Sequence, residues 1–439
     1  MELNEEQKKV VYTNERFLFL LAGAGSGKTR VIVERIKHLI DQGTPAHKIL
    51  AITFTRKASF EMKERLHNID VHIHTFHQFC YLKLIEDYQQ NFMMINEDSI
   101  SFRKDELLEI TKYKNSLFQN KKPAKYEIYQ NQLKENNAKD FDDLLIDFYN
   151  LISHKSHSYD YNYIFIDEFQ DTNLLQYQLL KTLVKKHTCI LAVGDPDQSI
   201  FSFRGANSKI IYKFVKEFRA KIYTLSINYR SNQNIIFHAN RLIRRNNRKY
   251  KKELIPSNIS KNFVVHLIFF NQIEESFSIL KVIKNLRRKK IQDEEIAVLY
   301  RNHFRSYELQ KVLDENDILY QTYDENNEHT KSGVQLLTIH KAKGLEFDAV
   351  IVIGLEHGVL PSLRKYDQTQ LDEERRLMFV AMTRARHYLY LTSVKTNSDY
   401  HSFTSSIFIR ESGVKTIKIN RNNGIISLGD FNGHQTKND

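Results

Sequence analysis

The sequence predicts an α/β fold with parallel sheets, because short apolar strands alternate with amphipathic helices along most of its 439 residues. A glycine-rich turn between the first strand and the first long helix supports this assignment, since such turns are typical of βα units. The expected strands lie in both halves of the chain, at residues 17–21, 49–53, 71–74, 163–167, 189–193, 221–225, 264–269, 296–300, 334–338, 349–353 and 388–392.

The change from alternating apolar strands and amphipathic helices to a polar, helical stretch and back predicts two α/β domains, the first of which is interrupted by a helical insertion. The expected segments are 1–80 and 138–225 for the first core domain, 81–137 for the insertion, 226–392 for the second core domain, and 393–439 for a polar C-terminal tail.

The net charge of +12 and pI of about 9.3 point to a polyanionic partner, with a merely solvated, lysine-rich surface as the alternative. The start of the chain is polar and acidic, and no apolar run reaches transmembrane length. Two cysteines, Cys80 and Cys189, are too few for a disulfide framework. We therefore expect a cytoplasmic protein without a membrane partner.

The glycine-rich turn has the spacing of a Walker A phosphate-binding loop, and a strand and a helix flank it as that motif requires. Its backbone N–H groups would surround phosphate oxygens, Lys28 would reach the β- and γ-phosphates, and the Thr29 hydroxyl would bind Mg²⁺. A plain βα turn is the alternative. The loop consists of Ala22, Gly23, Ala24, Gly25, Ser26, Gly27, Lys28 and Thr29.

A second apolar strand, 163–167, ends in the carboxylates Asp167 and Glu168. At the carboxyl edge of a parallel sheet, Asp167 would hold Mg²⁺ and Glu168 would polarise the attacking water. A helix N-cap is the alternative for an isolated Asp-Glu pair. The preceding Walker A loop favours the catalytic interpretation, so a nucleoside triphosphate and Mg²⁺ are the expected ligands.

Eight further segments, read in order, resemble the motifs of UvrD/Rep/PcrA-type superfamily-one DNA helicases over residues 3 to about 392. The resemblance implies two RecA-like P-loop NTPase domains with ATP in the cleft between them. The matching segments are 3–7 for the Q motif, 53–58 for motif Ia, 74–77 for Ib, 167–172 for II, 194–206 for III, 228–231 for IV, 338–347 for V and 373–385 for VI.

The resemblance also implies roles at the nucleotide. Gln7 would bind adenine, Tyr229 would stack on it, and Arg30 and Glu346 would complete the nucleotide site. Three further residues would act on the γ-phosphate. They are Gln198, Arg230 and Arg384.

For DNA, the resemblance implies aromatic rings that stack on bases and polar groups that meet phosphates. Phe203 stands where relatives more often have tryptophan, and it keeps a stacking face. The stacking residues are Phe54, Phe201, Phe203 and His340, and the phosphate contacts are Thr55, Thr75 and Arg204.

Only residues 324–333 bridge the place where the family carries subdomain 2B, so a loop is expected there. The expected function is ATP-dependent translocation along single-stranded DNA, 3′-to-5′, with helicase activity on tailed duplexes. Its context would be DNA repair, replication restart or phage defence, and a nuclease or another protein could supply the missing surface. The alternative is a DNA-stimulated ATPase that acts as a regulatory subunit without strand separation.

Overall fold

The computed structural model describes residues 2–67, 69–95, 102–154, 159–207, 209–260, 263–322, 332–363, 367–396 and 402–418. The chain divides into two units, Met1–Ser226 and Ile227–Asp439. The strands of the first unit are β1 (Phe17–Ala22), β2 (Ile49–Thr53), β3 (His72–Thr75), β4 (Met93–Met94), β5 (Ala138–Lys139), β6 (Tyr163–Ile166), β7 (Cys189–Gly194) and β8 (Lys221–Leu225). Its helices are α1 (Glu5–Val11), α2 (Lys28–Asp41), α3 (Arg56–Arg65), α4 (Phe76–Glu86), α5 (Lys104–Asn115), α6 (Tyr126–Glu135), α7 (Phe141–His154), α8 (Leu174–Leu183) and α9 (Lys209–Glu217).

Six strands of the first unit form a parallel sheet in the order β3-β2-β6-β7-β1-β8. All six were expected from the sequence and are confirmed, with bounds shifted by no more than one residue at an end. The register pairs Leu21 with Gly194 and Ile166 with Ala192. The segments that follow β1, β6 and β7 therefore emerge beside one another at the carboxyl edge of the sheet.

The central strands are apolar on both faces because helices cover both sides of a parallel sheet. Strand β1 is buried along its length after Phe17, and α2 packs Val31, Ile32 and Ile36 onto the same core. Polar side chains define where the helices begin: Asn4 caps α1, and Asn173 caps α8, each within a capping box.

The expected helical insertion has a small core of its own. Helix α4 crosses residue 81, the expected start of the insertion, without a break. Helices α5 and α6 then pack around Leu107, Ile110 and Tyr129. The short parallel pair β4 and β5 lies at the ends of this segment.

The second unit carries a larger parallel sheet. Its strands are β9 (Ile227–Asn232), β10 (Ile255–Asn258), β11 (Val264–Phe269), β12 (Ile296–Tyr300), β13 (Tyr320–Thr322), β14 (Val334–Thr338), β15 (Phe347–Val352), β16 (Ala385–Val394) and β17 (Thr416–Lys418). Its helices are α10 (Gln233–Ile243), α11 (Gln272–Arg288), α12 (Tyr307–Asp314), α13 (Gln368–Met382) and α14 (Ile407–Ser412). Seven of these strands pair in parallel in the order β13-β14-β12-β15-β16-β11-β17.

Two features of the second unit differ from expectation. The expected tail from residue 393 still contributes α14 and the edge strand β17, which pairs with β11, because its few apolar residues are buried there. Strands β9 and β10 form a separate parallel pair that the pattern did not indicate. Most of the bridge 324–333 and the tail beyond 418 lie outside the described residues. Within the described ranges, no helix is long and apolar enough to cross a membrane.

A buried ionic cluster joins the insertion to the first core domain. Lys114 of α5 is fully buried, and its Nζ lies 2.6 Å from Asp140 Oδ2 and 2.7 Å from Asp143 Oδ1. The Tyr129 hydroxyl also donates to Asp140. Burial and the neighbouring Asp140 carboxylate raise the pKa of Asp143 to about 6, against the opposing effect of Lys114. The cluster is therefore stable only while the lysine is present.

We predict that Lys114→Met lowers the free energy of unfolding by about 3–5 kcal/mol, because it leaves the buried carboxylates of Asp140 and Asp143 without their lysine partner. The loss should shrink as the pH falls toward about 6, because Lys114 lowers the pKa of Asp143 and its removal raises that pKa above the wild-type value of about 6. The folded variant then takes up a proton at a pH at which the folded wild type does not. Urea unfolding at several pH values measures this. Lys48→Met is the matched control, because the pair of Lys48 and Asp160 is open to solvent, which screens it, and its loss should have little effect on stability. Equal losses in the two variants would contradict the assignment.

Candidate nucleotide site and nucleic-acid interface

The loop between β1 and α2 has the backbone shape that a phosphate cradle requires. Gly25 and Gly27 have positive φ values of 63° and 82°, and Gly27 is the N-cap of α2. The loop is closed internally, since the Ser26 hydroxyl donates to the Gly23 carbonyl at 2.8 Å. Left-handed residues on both sides of an ordinary one, here Ser26, turn successive backbone N–H groups toward one side, where the helix N-terminus adds positive potential.

Gln7 is tied to this loop rather than left open to solvent. It is 2% exposed, and its Nε2 donates to the Ser26 carbonyl at 3.1 Å. Its Oε1 accepts the Asn4 N–H at 3.1 Å, as part of the α1 capping box. The structure thus places the expected adenine contact directly against the phosphate loop. Arg30 lies half-buried in the first turn of α2.

Lys28 and Glu168 form the central ion pair of the site. Lys28 Nζ lies 2.6 Å from Glu168 Oε1, although the two residues are 140 positions apart in the chain. Burial alone would lower the pKa of Lys28, but the Glu168, Asp167 and Asp195 carboxylates together outweigh it and raise that pKa. Lys28 is therefore a fixed positive charge at the carboxyl edge of the sheet.

Gln170 connects three parts of the site, and sequence reasoning assigned it no role. Its side chain is fully buried; Nε2 donates to Glu168 Oε2, and Oε1 accepts the Asp195 backbone N–H at 2.8 Å. Gly194 has no side chain because a Cβ there would lie 2.7 Å from Gln170 Oε1. The available signal was a polar amide between four acidic or aromatic neighbours after a buried strand.

Gln198 is held by the segment that follows β7. Its Nε2 donates to Asp195 Oδ2 at 2.6 Å, and Asp195 is fully buried. Lys28, Glu168, Gln170, Asp195 and Gln198 therefore form one chain of hydrogen bonds that crosses the ends of three strands. The structure brings together the three catalytic residues that the sequence assigned to the first domain.

Three aromatic residues expected to contact DNA cluster on the first unit. The Phe54 and Phe201 rings stack with centroids 5.2 Å apart and an interplanar angle of 23°. The ring centroids of Phe203 and Phe201 are 6.0 Å apart, and Phe203 is 36% exposed. Phe201 follows Gln198 by three residues, so a single loop carries both the polar end of the hydrogen-bond chain and a stacking ring.

Two of the remaining expected DNA contacts of this unit, Thr55 and Thr75, also cap helices. The Thr55 hydroxyl accepts the Ala58 N–H and caps α3, and the Thr75 hydroxyl accepts the Gln78 N–H and caps α4. A hydroxyl that accepts one hydrogen bond still has a proton to donate, so each can also meet a phosphate. Arg204 lies in the short 3₁₀ turn Ser202–Arg204.

The residues that could hold a metal ion at this site are Thr29 and Asp167. Both offer oxygen atoms, which Mg²⁺ prefers, and Mg²⁺ in nucleotide sites usually takes only one or two protein ligands beside substrate phosphates. Asp167 is 7% exposed, and its backbone N–H bonds the Ile52 carbonyl, which fixes it at the sheet edge. Across the described ranges, no group of three or more His, Cys, Asp or Glu could hold a metal.

In the second unit, Arg230 and Glu346 form an ion pair at the amino edge of the sheet. Arg230 Nε lies 2.6 Å from Glu346 Oε2, and Nη1 donates to the Thr383 carbonyl at 3.2 Å. Burial alone would raise the pKa of Glu346, but Arg230 and Arg386 outweigh it and lower that pKa. Glu346, assigned from the sequence to the nucleotide, is thus also the residue that positions Arg230.

The side chain of Arg384 is buried, which is unusual for an arginine. It is 2% exposed, Nε donates to the Val380 carbonyl at 3.1 Å, and Nη1 donates to the Leu345 carbonyl at 3.0 Å. These bonds fix its guanidinium in the turn between α13 and β16. Tyr229 is 40% exposed and offers a ring for stacking, and His340 is half-buried just after β14.

The sequence matches two domain families that together span most of it. Residues 3–115 and 93–219 match the UvrD/REP helicase N-terminal domain, and residues 223–332 and 322–396 match the UvrD-like helicase C-terminal domain. The chain belongs to the UvrD/REP helicase family. Helicases of the UvrD/PcrA type use ATP with Mg²⁺, as the phosphate loop and the Asp167 carboxylate suggest.

Curated relatives agree with this membership. A "Probable DNA helicase" of Mycoplasma pneumoniae is 33% identical over 93% of this chain and 86% of its own length. The "ATP-dependent DNA helicase PcrA" of Staphylococcus epidermidis and that of Staphylococcus aureus are each 34% identical over 72% of this chain. This UvrD-like chain spans about half the length of those PcrA proteins. The crystal structure of the C-terminal domain of a possible DNA helicase from Lactobacillus plantarum matches over 43% of this chain and 97% of that domain, at 20% identity and a TM-score of 0.32.

We predict that Gly27→Ala reduces ATP affinity at least tenfold. A Cβ at Gly27 would lie 2.9 Å from Gln7 Nε2, so the Gln7 bond to the loop must break while the backbone keeps a strained φ of +82°. Gly43→Ala is the matched control, because Gly43 has a φ of +88° and open space around its missing Cβ. The positive φ alone should cost each variant about 1 kcal/mol of stability, and Gly27→Ala should lose more because the Gln7 bond also breaks. Nucleotide titration measures the difference, and equal affinity in the two variants would contradict the role of Gly27.

Proposed function

We propose that this UvrD-like chain is an ATP-dependent motor that moves 3′-to-5′ along single-stranded DNA and separates the strands of tailed duplexes. One observation carries the proposal: the hydrogen-bond chain from Lys28 to Gln198 ends on the loop that also carries Phe201. A change at the phosphate is therefore transmitted over a few bonds to a ring that holds a base.

At the phosphates, Lys28 neutralises negative charge and the glycine loop donates its N–H groups. Mg²⁺, held by Thr29 and Asp167, would neutralise the charge that develops on the phosphate oxygens. Glu168 accepts a proton from the attacking water. Its carboxylate must first release Lys28, which it contacts in the structure, and then contact that water. Gln170 keeps the Glu168 carboxylate oriented during the exchange.

The second unit contributes two guanidinium groups and a ring in this proposal. Arg230 and Arg384 stabilise the charge on the transferred phosphoryl group, and Tyr229 stacks on adenine. Glu346 and the Thr383 carbonyl hold Arg230 in a fixed orientation, which lowers the entropy lost when it binds phosphate. An arginine in this role contributes about 10³–10⁵ in rate in other phosphoryl-transfer enzymes.

For the nucleic acid, Phe54, Phe201 and Phe203 stack on successive bases, and stacking of this kind is worth about 1–3 kcal/mol per base without sequence preference. Thr55, Thr75, Arg204 and His340 complete the track. We place this activity in the cytoplasm, in DNA repair, replication restart or phage defence, with a nuclease as a candidate partner.

The test is strand displacement by the purified chain. With ATP and Mg²⁺, we expect it to release a labelled strand from a duplex with a 3′ single-stranded tail, and not from one with a 5′ tail. Glu168→Gln should bind ATP and DNA but neither hydrolyse nor displace, because the general base is lost while the metal ligand Asp167 remains.

Two outcomes would change the assignment. DNA-stimulated ATP hydrolysis without displacement of either duplex would indicate a regulatory ATPase rather than a helicase. Hydrolysis by Glu168→Gln at the wild-type rate would show that another group activates the water, and would contradict the role given to Glu168.

A further inference from the structure

The second unit carries a dense basic loop that the motor function does not use. Between α10 and β10, six of the nine residues 244–252 are Arg or Lys. Glu253 is the single acidic residue among positions 244–253, which leaves the segment with a formal charge of +5. The loop borders a recess of about 570 Å³ whose lining includes Arg244, Arg248, Lys251 and Lys252.

The loop is fixed at its base by paired hydrogen bonds. The Asn240 side chain donates to the Leu254 carbonyl at 2.9 Å and accepts the Leu254 N–H at 3.1 Å. Asn240 lies on α10 and Leu254 just precedes β10, so this pair closes the loop. Within it, Arg248 Nη1 donates to the Lys252 carbonyl at 3.0 Å.

A second anchor ties the loop to α13. The buried Asn246 donates to the Asp372 carbonyl at 2.9 Å and accepts from Arg375 Nη1. Arg375 is itself held by Glu411 through two bonds of 2.7 and 3.0 Å. A loop held at both places keeps its cations close together in the folded state. Glu253 pairs with Arg244, and the formal charge of +5 already includes that carboxylate.

We propose that the loop 244–252 is a binding site for the phosphate backbone of double-stranded DNA. The inference rests on the proposed function, in which the motor meets a duplex. Double-stranded DNA carries one negative charge per about 1.7 Å of its axis, which suits a fixed cluster of cations.

The composition of the loop favours a duplex over a single strand. Interfaces for single strands combine positive charge with exposed aromatic platforms, as in the cluster of Phe54, Phe201 and Phe203. The basic loop has one aromatic residue, Tyr250, which is half-buried. Its remaining side chains are Arg, Lys and Asn, which commonly contact phosphates and carry no aromatic ring.

The experiment compares binding of a blunt duplex and of oligo(dT) of the same length, both without nucleotide, over a range of salt concentrations. The variant is Arg245→Gln/Lys251→Gln, because both side chains are exposed. The matched control is Lys281→Gln/Arg288→Gln, which removes the same charge from exposed positions of α11. Circular dichroism checks that both variants are folded.

We expect the loop variant to bind the duplex more weakly, with a salt slope shallower by about two, one for each lost phosphate contact. Binding of oligo(dT) and oligo(dT)-stimulated ATP hydrolysis should match the wild type, and the control should match it in every assay. That hydrolysis assay tests the proposed function separately, so a failed motor and a failed duplex site give different results.

Three outcomes would overturn the proposal. Duplex binding by the loop variant equal to that of the control would show that the loop does not contact DNA. An equal loss on oligo(dT) would assign the loop to the single strand. Equal weakening in both variants would show a general effect of charge rather than a site.

Discussion

The buried side-chain amide of Gln170 holds Glu168 in its ion pair with Lys28. The other polar groups at the carboxyl edge of the first sheet are positioned by this amide and this ion pair. Gln170 holds Glu168 with one end of its side chain and the Asp195 backbone with the other. Parallel strands alone would bring the loops after β1, β6 and β7 to the same edge. The amide fixes these loops relative to one another, because both ends of its buried side chain are hydrogen-bonded and an unpaired buried amide would be costly.

In the proposed function, this arrangement is a physical route from nucleotide to DNA within the first unit. Asp195 connects Gln170 to Gln198, and three residues further along the same loop Phe201 stacks on Phe54. A helicase needs hydrolysis to change how it grips a strand, and in this proposal one short loop serves both tasks. In the second unit one carboxylate also serves two partners, since Glu346 orients Arg230 and accepts a hydrogen bond from Arg386.

Much of the fold was predictable because apolar strands and spaced glycines are local signals. The eleven expected strands are present, and the phosphate loop lies where its glycines placed it. Gln170 was not predictable, because its importance comes from contacts between segments 25 residues apart. Strand β17 was missed since three residues at a sheet edge carry no clear period. The hydrogen bonds of Arg384 depend on the turn after α13, which sequence motifs do not describe.

The most direct test of the central claim is a double-mutant cycle of Gln170→Ala and Gln198→Ala, read as kcat of DNA-stimulated ATP hydrolysis. If the amide chain acts as one unit, each single variant should lose about tenfold or more, and the double variant should lose little beyond the larger single loss. Thermal unfolding of each variant confirms that the proteins remain folded. Losses that multiply, or a Gln170→Ala enzyme with wild-type kcat, would contradict a coupled network at the sheet edge.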